Sequence, residues 1–144
     1  MILAVALSAC GGDPDPSGSS SGSGGPTALD GTSWIVASVA GRTPVPGAVP
    51  TLEFKADQVT GTGGCNDFGG RYQIDPATGR FATIEVASTL IGCVQPGIGE
   101  YESALLGALG AATRAGIDAT GQLILDGPGG RIVLARFQPP AVGG

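Results

Sequence analysis

The sequence predicts an α+β fold: a mostly antiparallel, curved β-sheet or half-barrel of about seven strands with one packed α-helix. Three observations lead there. Short runs alternate apolar and polar side chains with period two, Gly and Pro punctuate those runs, and one segment alone carries helical spacing.

The runs, in order, are Trp34 to Val39, Thr51 to Phe54, Gln58 to Thr62, Arg71 to Ile74, Arg80 to Ile84, Gly121 to Leu125 and Arg131 to Phe137. Two connectors, Asp75-Pro76-Ala77-Thr78-Gly79 and Asp126-Gly127-Pro128-Gly129-Gly130, join a φ-fixing Pro to Gly able to take positive φ, so each closes a hairpin. Between Ile98 and Ala112 the spacing changes: Ile98, Tyr101, Leu105, Ala108 and Ala112 recur as on a helix face, with Glu100 and Glu102 in the first turn, where the helix dipole favours acids. Gly107 and Gly110 weaken that helix, which therefore needs the sheet to pack on. The expected core is Trp34, Leu52, Phe54, Tyr72, Ile74, Phe81, Leu105, Leu109, Leu123, Leu125 and Phe137.

The domain does not fill the chain. Met1 to Ala9 is apolar with small residues near its end and runs into Cys10, like the tail of a bacterial lipoprotein signal peptide with Leu7-Ser8-Ala9-Cys10 as lipobox. Such a signal starts with Lys or Arg and a longer apolar run, so the translation start is expected upstream of Met1. Cleavage before an acylated Cys10 would leave 144 − 9 = 135 residues held by two or three acyl chains, enough for stable anchoring. From Gly11 to Ala28, 14 of 18 residues are Gly, Ser or Pro, a flexible tether with an r.m.s. span of roughly 20 to 25 Å. Residues 29–138 are one domain, and 139–144 read as a disordered tail. No run is long enough to span a bilayer, so the chain is expected to be held at the exported side of the envelope membrane by its anchor alone. With Cys10 assigned to lipid, Cys65 and Cys93 remain. In an oxidising compartment they can pair, closing about 28 residues and adding about 3.5 kcal/mol; two buried free thiols are the alternative.

Composition removes whole classes of function. With no histidine there is no Ser/His or Cys/His nucleophile pair and no His-ligated zinc. Seven Lys and Arg against twelve Asp and Glu, the cations scattered singly, argue against nucleic acid. Lys55 is the only lysine and no Ser stands three residues before it, so the S-x-x-K nucleophile is missing. Gly61-Thr62-Gly63-Gly64 neither opens a helix nor carries a Lys, so it is no phosphate cradle. The acids Asp67, Glu85, Glu100 and Glu102 lack the spacing of a metal site or glycosidase pair and read as solvated. No catalytic residue, cofactor or metal is expected.

A family resemblance covers Leu29 to Phe137. The segments Leu29-Asp30-Gly31-Thr32-Ser33-Trp34, Thr51-Leu52-Glu53-Phe54, Val59-Thr60-Gly61, Gly64-Cys65-Asn66-Asp67-Phe68-Gly69-Gly70-Arg71-Tyr72, Ser88-Thr89 through Cys93, Glu100 and Leu123-Ile124-Leu125 resemble the META domain, also called HslJ-like. Leu90-Ile91-Gly92 departs from it, since the family often carries a Met-rich stretch there. The resemblance implies a bacterial envelope protein, often a lipoprotein, linked to heat-shock or antibiotic stress, with no enzymatic activity or cofactor established for the class.

The segment Gly63 to Gly70 is where a site is expected. Asn66 and Asp67 offer hydrogen bonds, Phe68 an apolar surface, and the glycines allow close approach, so Asn66, Asp67 and Phe68 are the candidate binding residues. The plainer alternative has Asn66 and Asp67 bonding the local backbone, Cys65 stapling the loop and Phe68 entering the core. Two functions follow. One is a stress-associated, non-enzymatic envelope lipoprotein, a monomer, that binds an envelope protein through an apolar patch around Phe68 and the Leu90-Ile91 loop. The other is a small apolar ligand binder with a cavity lined by core aromatics.

Overall fold

The computed structural model of the chain describes residues 28–137. The signal-like segment 1–9, the anchor Cys10, nearly all of the tether and the tail 139–144 lie outside the described residues. Eight strands and one helix run in the order β1 (Thr32–Val39), β2 (Thr51–Lys55), β3 (Gln58–Thr62), β4 (Asp67–Ile74), β5 (Phe81–Ser88), α1 (Ile98–Ala111), β6 (Arg114–Ile117), β7 (Leu123–Asp126) and β8 (Ile132–Arg136).

All these strands join one sheet, in the order β5-β4-β3-β2-β1-β8-β7-β6, and every neighbouring pair is antiparallel. The first and last strands lie side by side at its middle. The sheet curls until its edges meet at one end, where Phe81 N–H donates to Thr113 O at 2.9 Å and Ala115 N–H donates to Gly79 O at 2.8 Å. This is the curved half-barrel of an α+β domain. The helix α1 follows β5 and lies against β5, β1 and β8, and Thr83 Oγ1 donates to the Leu109 carbonyl at 3.2 Å.

Inside, Phe54, Tyr72 and Phe81 form an aromatic cluster with ring centroids 4.8, 6.2 and 6.4 Å apart, beside Trp34, Leu52, Leu105, Leu109, Leu123, Leu125 and Leu134. Burial at this scale contributes about 1.5–3 kcal/mol per large side chain. Tyr101 tethers the helix to the β1 end of the sheet, its hydroxyl donating to Arg42 O at 2.9 Å. Its burial holds the phenol above its usual pKa.

Four sequence expectations need correction. An eighth strand exists: β6 reads Arg-Ala-Gly-Ile, too short and too glycine-bearing to signal a strand by itself, and it forms because it pairs with β7. The strand β4 starts at Asp67, not Arg71, and β5 continues to Ser88 past Ile84. Gly69 and Gly70 carry no strand signal but lie in the ladder. Gly70 faces a bulge in β5, where Glu85 takes φ 55, and a Cβ there would run into Val86 Cα and Ile84 O. Finally, Phe137 is 42% exposed instead of core, because β8 ends at Arg136, and Ile74 is only partly buried.

Candidate functional site

Glu102 is the centre of the site. Counting along α1, Ile98, Glu102, Leu105 and Leu109 follow the i, i+4, i+7, i+11 spacing of one helix face, which places a carboxylate among apolar residues. Glu102 is 5% exposed, so it must be partnered or it would cost several kcal/mol. Its partners come from the turn between β3 and β4. Oε2 accepts the Asn66 backbone N–H at 2.7 Å and the Cys65 N–H at 3.2 Å, and Oε1 accepts from Asn66 Nδ2 at 2.6 Å.

Asn66 passes the connection on to a second loop. Its Oδ1 accepts the Ile91 N–H at 2.6 Å and the Thr89 hydroxyl at 3.0 Å, while Nδ2 also donates to Ile91 O at 3.2 Å. The amide orientation is fixed by this pattern, since Oδ1 must face a backbone donor and Nδ2 a carboxylate. Asp67 N–H donates to Thr89 Oγ1 at 3.2 Å and Thr89 N–H to Asp67 O at 3.0 Å, extending the β4–β5 ladder to the same loop. The Cys65–Cys93 disulfide, with Cα atoms 5.7 Å apart, closes the other side. Helix, turn and loop are thus held at one point.

The backbone of the turn makes room for the carboxylate. Gly63 is buried, and a Cβ built there would overlap the Glu102 side chain, so Gly63 is required by approach and not by φ. Gly63→Ala is therefore expected to push Glu102 off its three N–H donors and destabilise the domain by about 2 kcal/mol. A urea midpoint that falls with unchanged m-value would show it, and an unchanged midpoint would mean that the carboxylate contributes little.

These contacts revise the expected site. Asn66 is 5% exposed and its amide is engaged on both ends, so it organises the loop. Its side-chain and N–H bonds reach 23 to 36 residues along the chain instead of the local backbone. Phe68 is 5% exposed and belongs to the core. Asp67 is exposed, its carboxylate without a hydrogen bond among the described residues. Glu102 is a buried organiser and not a solvated acid. Its signal in the sequence is its place on the apolar face of α1, four residues after Ile98, where it lies beyond the first turn that holds Glu100.

Outside this hub, the loop presents apolar surface to solvent. Leu90 is 94% exposed, Ile91 64% and Val94 99%, while residues 86–99 contain no charged side chain. Beneath the loop a cavity of about 530 Å³ opens against α1, bordered by Ile91, Cys93, Pro96, Glu102, Ser103 and Leu106. The interior of the half-barrel is filled by the aromatic cluster. Among the described residues no group of three or more Cys, Asp or Glu is placed to hold a metal, and no helix is long and apolar enough to cross a membrane.

Comparison with known proteins bears on this arrangement. The model of the META domain matches residues 27–139. An NMR structure of a protein from Burkholderia xenovorans is similar at 28% identity with a TM-score of 0.66, over 88% of this chain and 98% of that one. A second NMR structure, of a protein 21% identical with a TM-score of 0.60, covers 74% of this chain and 89% of its own and shares the fold. No curated protein matches.

Proposed function

The chain belongs to the META domain family, and on that premise we propose that it is a non-enzymatic, protein-binding module of the bacterial envelope, lipid-anchored at Cys10 and associated with stress. One observation carries this reading: three large apolar side chains, Leu90, Ile91 and Val94, stand out from a loop whose backbone is already satisfied internally at Ile91. Exposing them costs solvation, and a flexible loop would fold them away. Here the disulfide and Asn66 hold them out, which lowers the ordering cost of docking. Each contributes about 1.5–3 kcal/mol when buried, the size of a small hot-spot cluster.

A protein fits this surface better than a lipid one. Glu85 and Glu100 flank the uncharged segment and Asp67 lies beside it, all exposed, whereas a loop that enters anionic lipid needs Lys or Arg at its rim. The tether and anchor would keep the domain near the membrane, where envelope partners are concentrated.

The test is crosslinking of the full chain in its native host, beside a variant with Leu90→Ser, Ile91→Ser and Val94→Ser together. An envelope protein enriched by the wild type and lost in the variant is expected, with the variant's stability changed by no more than about 0.5 kcal/mol for each surface position. Equal recovery with both chains would overturn the reading. A Cys10→Ser chain that still reaches the same partner when overexpressed in the envelope would separate docking from anchoring.

A further inference from the structure

Away from the loop, the seam where the two sheet edges meet brings together two cations that stand 34 residues apart in sequence. Arg80 and Arg114 are bridge partners across that seam. The flanking bonds, Phe81 N–H to Thr113 O and Ala115 N–H to Gly79 O, make them a non-hydrogen-bonded antiparallel pair, the arrangement that brings opposed side chains closest and on the same face. Their neighbours Phe81 and Ala115 point into the core, so both arginines point out. Like charges directly opposed destabilise a sheet.

Nothing among the described residues neutralises them. The ion pair found there is Arg131 with Asp126. Asp126 stands opposite Arg114 in the β6–β7 register, yet its two oxygens accept from Arg131 Nε at 2.7 Å and Nη2 at 3.1 Å. Asp75 Oδ1 accepts the Ala77 N–H, and Asp118 Oδ1 accepts from Thr120 and Gln122. Arg114 makes one long contact, Nη1 to Thr78 O at 3.4 Å, and the Arg80 guanidinium has no hydrogen bond or ion pair with any described residue. The pair borders a surface cavity of about 440 Å³, lined also by Thr78, Phe81, Ala82 and Thr113.

We propose that this seam is a binding site for a phosphate monoester carried on an apolar body, held by Arg80 and Arg114. Two guanidinium forks supply more N–H donors than the two oxygens of a carboxylate can accept, while a phosphate offers three terminal oxygens. The Thr78 hydroxyl accepts the Arg80 backbone N–H at 3.2 Å, which leaves its own hydrogen to donate into the cavity. The Thr113 hydroxyl leans on Asp126 O at 3.4 Å. Phe81 and Ala82 give the cavity its apolar wall. The phosphate could belong to a soluble ester or to the monoester headgroup of phosphatidic acid.

The experiment is an amide chemical-shift titration of the full chain carrying Cys10→Ser with phenyl phosphate, compared with Arg80→Ala/Arg114→Ala, Arg80→Lys/Arg114→Lys and the exposed control Arg71→Ala. Saturable shifts at residues 78–82 and 113–115 are expected at concentrations of about 1 mM. The alanine pair should weaken binding at least about tenfold, the lysine pair should retain part of it because lysine still offers a point charge, and Arg71→Ala should change it by less than about twofold. Sedimentation with phosphatidic acid vesicles but not phosphatidylglycerol vesicles, lost in the alanine pair, would assign the monoester headgroup as source; phenyl phosphate binding without sedimentation would assign a soluble ester. Absence of saturable shifts, or equal shifts in the alanine pair, would overturn the proposal. The alanine pair should also fold at least as stably as the wild type without ligand, because it relieves the opposed charges. A loss of stability would make the arginines structural and overturn it as well.

Discussion

Cys65→Ser/Cys93→Ser is expected to destabilise the domain by about 3.5 kcal/mol, the loop-closure entropy for a separation of 28 residues. The bridge ties the turn before β4 to the loop that bears Leu90, Ile91 and Val94, so its loss should also free that loop. The measurement is native-state hydrogen exchange. In the wild type the Ile91 N–H is shielded by Asn66 Oδ1 at 2.6 Å. Without the disulfide it should exchange much closer to the free-chain rate while the β1–β8 amides fall only with global stability. If Ile91 stays as protected as those amides, Asn66 alone holds the loop and the disulfide acts only through the unfolded chain.

Glu102→Gln should cost a similar amount, about 3 kcal/mol, although it preserves volume and shape. Glutamine has one acceptor oxygen and one donor nitrogen, and the site needs acceptors on both sides. If its oxygen takes the Cys65 and Asn66 backbone N–H groups, its NH2 faces Asn66 Nδ2, donor against donor. Turning the Asn66 amide to relieve this would set its NH2 against the Ile91 N–H. One buried group stays unsatisfied in either orientation, at about 1–3 kcal/mol, and the bonds to a charged acceptor are lost besides. Adding Asn66→Asp to Glu102→Gln reverses the polarity of that link, since one aspartate oxygen accepts from the glutamine NH2 while the other keeps Ile91 and Thr89. The double variant should recover part of the loss. The recovery stays partial because Ile91 O would then face an oxygen where Nδ2 now donates at 3.2 Å. Urea denaturation of the single and double variants gives the coupling. Additive losses would sink the account of Glu102 as the partner of Asn66. The disulfide and Glu102 variants share one loop, so combining them should cost less than the sum.

Much of the fold was legible locally. Alternation along Trp34 to Val39, Thr51 to Phe54 and Gln58 to Thr62 marks strands that the structure has. The two Pro/Gly connectors lie between β4 and β5 and between β7 and β8, and the helical spacing from Ile98 gives α1. These signals are legible because a period of 2 or 3.6 is written in neighbouring residues and is the direct image of one apolar face. The extension of β4 and β5 was not, since Gly69 and Gly70 carry no strand signal until Val86 is seen to need the space that a Gly70 side chain would fill.

The class of the domain, the faces of its elements and the absence of histidine chemistry were therefore readable from the residues alone. What meets each face emerged with the folded packing. Glu102 could be placed on an apolar stripe by counting, but its partner Asn66 lies 36 residues away. Phe68 and Phe137 are both single aromatics among small or polar neighbours, yet one faces the core from β4 opposite Gly61 of β3 and the other is left beyond the end of β8. Cys65 and Cys93 could be paired or free until their Cα atoms stood 5.7 Å apart, and Arg80 and Arg114 were scattered cations until the curl of the sheet set them opposite each other. Periodicity fixes the orientation of a side chain relative to its own backbone. Contacts between distant segments depend on register, curl and closure, which arise from the packing of the whole chain at once.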